Sequence, residues 1–180
     1  MEALQAKPSL SFAEAIQLAS HRLLDFKGRS RRSEFWWFIL VIIIVNFIAG
    51  LFLRSQATAD TVASAVIMLL GLAVTARRLQ DGGHSALWVY ISFLSMLANN
   101  IYAISSGIAD MAANANVNPK ELIESMLSPI STILGIIALI TSLMTIIFCI
   151  MDGKPEANKY GESPKYITET EEETEPSAEM

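Results

Sequence analysis

Three short polar segments carry residue types that could form strong ion pairs or bind an anion. The first holds Arg29, Arg32 and Glu34, the second Arg77, Arg78 and Asp81, and the third Asn158, Tyr160 and Gly161. Guanidinium groups match carboxylates and phosphates with paired hydrogen bonds. These residues therefore predict an interaction cluster, either of Arg–carboxylate pairs or of a docking site for a protein partner or anionic lipid head groups. Simple anchoring of positive side chains at a membrane boundary would explain the same arginines.

The sequence offers little for catalysis. It contains two histidines, His21 and His84, and one cysteine, Cys149, and it lacks the H-E-x-x-H, Walker A and G-x-S-x-G motifs. Asp81 and His84 could ligate a metal in principle, but two candidate ligands in a short turn favour a loop-capping role. We therefore expect a protein that is not an enzyme, with no catalytic residue, no metal and no cofactor.

Four apolar stretches are expected to position the polar segments: residues 35–53, 57–76, 86–106 and 130–151. Each has close to the ~20 residues that cross a hydrocarbon core about 30 Å thick. Hydrophobic residues make up 52% of the chain and charged residues 17%. The sequence predicts an all-α polytopic membrane protein, a bundle of four transmembrane helices. We expect the spans to be free of charged side chains, which argues against proton relays and intramembrane acid–base chemistry.

Lys and Arg residues predict the orientation of the spans in the membrane. They gather before the first span, in the link between spans two and three, and after the last span, whereas the other two links offer only Arg54 and Lys120. The positive-inside rule then places both termini and the link 77–85 in the cytoplasm. Basic residues beside membrane spans form no soluble basic face, so no nucleic-acid partner is expected.

Four polar side chains fall at mid-depth in the predicted spans: Asn46, Ser95, Asn99 and Ser142. A polar group in hydrocarbon needs a partner, so these are expected to hydrogen-bond between helices. A polar path for a solute is the alternative interpretation, and it would make the protein a small transporter or channel subunit.

Small side chains in the fourth span recur at steps of three and four residues. They are Ser131, Gly135, Ala138, Ser142, Thr145 and Cys149. Such stripes allow close backbone approach between helices in lipid. The pattern predicts a compact bundle in which Gly135 lies in a tight contact and Ile137 lies opposite it.

Two short helices are predicted outside the spans. Ser11 and Glu14 have the spacing of a capping box before an amphipathic segment that ends at Gly28. This helix could lie on the membrane surface or pack on the end of the bundle, and both alternatives stay open. Asn118 and Pro119 predict a short external helix. The acidic tail, 168–180, is expected to be disordered.

The polar segments together resemble an uncharacterised bacterial inner-membrane family, domain of unknown function 805. Residues 26–37, FKGRSRRSEFWW, are similar to its F-x-G-R-x-x-R-x-E-F/Y-W motif. Residues 77–85 resemble its R-R-L-H-D-x-G-x-S loop, with Gln80 in place of the histidine and Ala86-Leu87 before Trp88 where the family has one glycine. Residues 158–164 resemble its N-x-Y-G-x-x-P motif. The resemblance implies a bacterial membrane protein and no activity.

The sequence thus predicts a cytoplasmic segment 1–34, a membrane domain 35–151, a cytoplasmic motif segment 152–167 and the tail. We expect a non-enzymatic protein, held in the lipid bilayer, that acts through its cytoplasmic surface. A membrane or cytoplasmic protein is the expected partner, and self-association into a homo-oligomer stays open.

Overall fold

Four long helices match the four predicted spans in the computed structural model, which describes residues 4–53, 56–114 and 116–168. They are α2 (Arg32–Leu53), α3 (Ala57–Asp81), α4 (Leu87–Ser105) and α7 (Pro129–Ile150). Each is long and apolar enough to cross a membrane. The predicted fold class, a polytopic four-helix membrane protein, is confirmed.

Helix α3 extends to Asp81, five residues beyond the predicted end of its span at residue 76. Charged residues often end a membrane helix, but here Arg77, Arg78 and Asp81 are all buried. Because they find partners inside the protein, they lengthen the helix instead of ending it. The expectation of charge-free spans also fails at Asp60, which lies in the first turn of α3.

The first short helix, α1, spans Phe12–His21 and begins with the predicted capping box. Ser11 N donates to Glu14 Oε2 at 2.8 Å, and Glu14 N donates to Ser11 Oγ. Ala15 and Ala19 are buried where α1 packs against α2. Of the two placements that the sequence left open, the structure has α1 packed on the bundle.

Two more short helices, α5 (Ile108–Ala113) and α6 (Pro119–Met126), lie between α4 and α7. The Asn118 side chain accepts a hydrogen bond from Lys120 N at the start of α6, as its sequence predicts. The sequence did not predict α5, because six residues are too few for a clear periodicity. Gly107 has φ +77, a left-handed conformation that lets the chain turn back from α4 into α5.

The long helices pack mainly as two pairs, α2 with α3 and α4 with α7. On α7 the buried residues are Thr141, Thr145 and Cys149, spaced four residues apart. The predicted stripe is therefore correct toward this end and wrong at Gly135, which is exposed and where an added Cβ would have no atom within 4 Å. The prediction assumed that the stripe makes contacts along the whole span. At Gly135, α7 makes no such contact with any residue that the structure describes.

A small two-stranded sheet, absent from the all-α prediction, joins the ends of the described chain. Strand β1 (Leu4–Ala6) pairs antiparallel with β2 (Tyr166–Thr168), with Gln5 opposite Ile167. Lys7 N donates to Lys165 O at 2.8 Å just beyond the sheet. The predicted disordered tail lies outside the described residues, apart from Thr168.

Candidate functional site

Charged side chains from α2, α3 and the segment before α2 meet at one end of the bundle. We call this group the arginine cluster: Arg29, Ser30, Glu34, Arg77, Arg78 and Asp81. All six residues are 5% exposed or less. The structure thus brings the first and second predicted polar segments together, in the interior of the protein and not on its surface.

Asp81, the last residue of α3, lies between two arginines. Arg29 Nε donates to its Oδ1 at 2.8 Å, and Arg78 Nη1 donates to its Oδ2. The backbone of Gly153 packs so closely against this carboxylate that a Cβ on residue 153 would lie 2.0 Å from Oδ2. Each carboxylate oxygen therefore accepts from an arginine, and the Asp81 side chain is held in one position.

Arg77 joins the start of α2 to the turn that follows α1. Its Nη2 lies 3.0 Å from Glu34 Oε1, and its Nε donates to Ser30 Oγ at 2.9 Å. Its Nη1 donates to the backbone oxygens of Arg22 and Asp25. Asp25 is held in turn by Arg22, whose hydrogen bond lowers the pKa of the Asp25 carboxyl below its ordinary value.

The third polar segment, after α7, is fastened to the cluster through its backbone. Arg78 donates to the carbonyl oxygens of Cys149, at 3.1 Å, and Met151. Arg29 donates to those of Lys154, Glu156, at 2.9 Å, and Gly161, at 3.3 Å. Backbone carbonyls at a helix C-terminus carry partial negative charge, so they complement the surplus of arginines over carboxylates.

Of the remaining predicted cluster residues, Asn158 hydrogen-bonds to the backbone of α3 and Tyr160 hydrogen-bonds to Asn158. Arg32 takes part in neither bond. Asn158 Nδ2 donates to Gln80 O at 3.0 Å, and its Oδ1 accepts from Tyr160 N at 2.8 Å. Arg32 is exposed and makes no ion pair with the residues that the structure describes. The first turn of α2 directs Glu34 inward and Arg32 outward, so Arg32 belongs to the surface of this end and not to its buried ion pairs.

Sequence reasoning missed two contributors to the cluster, Ser30 and the side chain of Gln80. Gln80 Nε2 donates to Phe26 O at 3.1 Å, whereas its buried Oε1 has no hydrogen-bond partner among the described residues. Neither residue belongs to a recognisable spacing, because both are defined by partners about 50 positions away. Gln80, noted as the position of the family histidine, could have been singled out on that ground.

The arrangement favours a structural task for the buried charges. Each guanidinium is satisfied by carboxylate, hydroxyl or carbonyl oxygens, which offsets the large cost of removing a charge from water. Each carboxylate accepts from arginine, so neither is placed to act as a general base. In the described part of the chain, no three His, Cys, Asp or Glu residues are grouped to hold a metal ion.

The four predicted intramembrane polar residues do not all lie in one helix interface. Asn46 Oδ1 accepts from Ser64 Oγ at 3.4 Å between α2 and α3, and the hydroxyls of Ser142 and Ser92 lie 2.6 Å apart between α7 and α4. Ser95 is buried, and Asn99 Oδ1 is buried without a partner among the described residues. The structure therefore places Asn46 and Ser142 in different helix interfaces and not along one path.

Residues 23–162 match the family model described as "Protein of unknown function (DUF805)". The chain belongs to this family. The matched range begins just before the cluster and ends just after Gly161, so it contains every residue of the arginine cluster.

Two Escherichia coli K12 proteins are similar to this DUF805 chain. "Inner membrane protein YhaH" is 33% identical over 98 residues, which cover 47% of this chain and 81% of YhaH. "Uncharacterized protein YiiR" is 30% identical over 122 residues, which cover 63% of this chain and 80% of YiiR. No solved structure matches the chain.

Proposed function

We propose that this DUF805 protein is a non-enzymatic inner-membrane protein that docks another protein at the end of the bundle holding the arginine cluster. We propose further that this end, with both termini, faces the cytoplasm. The observation that carries the proposal is the burial of the cluster. The buried arginines stabilise this end of the bundle, and other basic side chains stay exposed there and can contact a partner.

Charge distribution supports the orientation. All Lys and Arg residues except Arg54 and Lys120 belong to the segments that meet at the cluster end. Cytoplasmic flanks of membrane helices carry such an excess of Lys and Arg. The similarity to a protein named for the inner membrane of Escherichia coli supports the proposed inner-membrane location.

The docking surface we propose consists of exposed basic side chains around the cluster. We call it the basic rim: Lys27, Arg32, Lys154 and Lys159, all exposed. Two of their backbones are held by nearby residues: Lys27 O accepts from Arg22, and Lys154 N donates to Asp81 O of the cluster. A surface of this sign fits an acidic patch on a partner protein, and electrostatic complementarity of this kind gives specificity and fast association.

Site-specific photocrosslinking in native membranes tests the docking proposal. A photoreactive residue placed at Lys159 should yield a discrete protein adduct, and the same residue placed at Lys120, at the other end of the bundle, should not. The double charge reversal Lys27→Glu with Arg32→Glu should remove the adduct while leaving the melting temperature in detergent unchanged, since both side chains are exposed.

Two outcomes would contradict the proposal. Adducts to lipid alone at Lys159 would assign the basic rim to anionic head groups and not to a protein. A protein adduct that survives the double reversal would show that the basic rim does not hold the partner.

A further inference from the structure

A groove lies between α3 and α4 in the half of the bundle away from the arginine cluster. It has a volume of about 420 Å³ and is lined by apolar side chains, among them Val66 and Leu69 on α3 and Phe93 and Leu97 on α4. Ligand sites in proteins commonly have volumes of about 300–1,000 Å³. The groove is therefore large enough for a ligand, and its walls are suited to a hydrocarbon chain.

Helix α5 packs near one end of the two helices that form this groove. Gly107 turns the chain back after α4, and α5 then packs against both α3 and α4. Ile108, its first residue, is 8% exposed. The short helix that the sequence did not predict is thus held against both walls at one end of the groove.

A second cavity, of about 660 Å³, adjoins the groove at this end. It is lined by polar residues that include Gln56, Thr58, Asp110 and Asn114, and it shares Val62 with the groove. Asp110 is exposed and brings a carboxylate to the cavity. The polar cavity and the apolar groove therefore meet at Val62, and we call the two together the depression.

Asn100 lies in the half of the groove nearer the polar cavity, with Ile104 beyond it on α4. Its side chain lines the groove, is half-buried and makes no hydrogen bond with the residues that the structure describes. At 1.5 Å per residue, Asn100 lies about 10 Å along α4 from Phe93 and about 7 Å from the end of the helix at Ser105. An amide is thus available at the level where an amphiphile changes from hydrocarbon to polar atoms.

We propose that this depression binds one phospholipid whose head group carries a primary amine. One acyl chain lies in the groove against Leu69 and Phe93, an ester carbonyl accepts from the Asn100 amide, and the ammonium group pairs with Asp110. The negative charge at the mouth selects the amine, because a head group without a cation leaves that carboxylate without an opposite charge.

Native mass spectrometry of the purified full-length protein, with phosphatidylethanolamine or phosphatidylglycerol added, tests this proposal. The wild type should retain one phosphatidylethanolamine. Ala65→Trp, which fills the groove, should weaken its retention about tenfold, equivalent to about 1.4 kcal/mol. Ile133→Trp, on an exposed position of α7, is the matched control and should retain the lipid.

Asp110→Asn tests the head group separately. This exposed substitution should fold normally and should reduce the preference for phosphatidylethanolamine over phosphatidylglycerol, whereas Glu124→Gln, which removes the same charge from the exposed face of α6, should leave it unchanged. If Ala65→Trp fails to fold, the Asp110 and Glu124 pair still decides the question.

Three results would overturn the proposal. Equal lipid retention by the wild type and a folded Ala65→Trp variant would show that the groove is not the site. An unchanged lipid preference in Asp110→Asn would remove the head-group assignment. A wild-type dimer that Ala65→Trp dissociates would assign the groove to a second copy of the chain.

Discussion

Arg29 and Asp81 are 52 positions apart in the chain, yet Arg29 Nε lies 2.8 Å from Asp81 Oδ1 and their side chains are 1% and 4% exposed. Such a pair contributes only if geometry and further hydrogen bonds offset the loss of hydration. Here Arg78 donates to Asp81 as well, and four backbone carbonyl oxygens accept from Arg29. Arg29 and Arg78, which the sequence offers for docking, therefore connect the segment before α2, α3 and the segment after α7 inside the protein.

Gly153→Ala should destabilise the protein, because a Cβ at residue 153 would lie 2.0 Å from Asp81 Oδ2. The carboxylate can move away only by lengthening its bonds to Arg29 and Arg78. Overpacking of this kind typically costs about 1–3 kcal/mol. Thermal unfolding in detergent should show a clear fall in melting temperature.

Gly135→Ala is the matched control for that substitution. Its new Cβ would meet no atom within 4 Å, and the residue lies inside α7. Alanine is better than glycine in a helix by about 1 kcal/mol, so this variant should melt at the same temperature or higher. A lower melting temperature for Gly135→Ala than for Gly153→Ala would show that the close approach to Asp81 is not as described.

Stability should depend on pH through His84, which lies in the link between α3 and α4. Its ring stacks on Phe148 at 3.9 Å, and its pKa is lowered by burial and by the nearby charge of Lys154. The unfolded chain, with an ordinary histidine pKa of about 6.5, then binds more protons than the folded protein. Stability should be full above about pH 6.5 and should fall as the pH is lowered through the folded-state pKa.

The readout for His84 is the change in melting temperature between two pH values, not its absolute value. His84→Gln should reduce the fall in melting temperature between about pH 7.5 and pH 5, the range around the ordinary histidine pKa. The same substitution at His21, which is exposed, is the control. Identical pH dependence in wild type and His84→Gln would exclude His84 as the cause.

The proposed orientation predicts the outcome of reporter fusions. Fusions at Gln56 and Asn116 should report an external location, and fusions at Gly83 and after Pro164 a cytoplasmic one. The reason is the excess of Lys and Arg at the cluster end. A cytoplasmic report from Asn116 would contradict the orientation, because α4 must carry the chain across the membrane between Gly83 and Asn116.

Hydropathy and capping patterns predicted most of the fold. The spans were found because the length of an apolar segment is set by bilayer thickness, a property of the segment itself. The capping residues Ser11 and Asn118 were likewise identified from local spacing. What was missed depends on distant contacts: α5 packs on α3 and α4, and β1 needs β2 from the other end of the chain.

The site was predicted in part for the same reason. Residue types and family motifs indicated Arg29, Glu34, Arg77, Arg78 and Asp81, but they gave no information on whether these side chains face inward or outward. Arg32 shows the limit, since it has the same chemistry as Arg29 and stands three residues away, yet it is exposed. Whether a side chain at the start of a helix faces inward or outward depends on packing against other elements. A local motif carries no information about that packing.

A double-mutant cycle on Asp81 tests the central claim, that the family motifs form a buried set of ion pairs. Asp81→Asn is combined in turn with Arg29→Gln, Arg78→Gln and, as the exposed control, Arg32→Gln, and unfolding free energies are measured. Residues in one ion-pair network show coupling of about 0.5–3 kcal/mol.

We expect Arg29 and Arg78 each to couple with Asp81 by more than about 1 kcal/mol, within the range for residues in direct contact, and Arg32 to show none. The contrary result is coupling below about 0.5 kcal/mol for both Arg29 and Arg78, the level expected of independent sites. That result would show that Asp81 is not held between Arg29 and Arg78. These side chains would then again be candidates for binding a ligand.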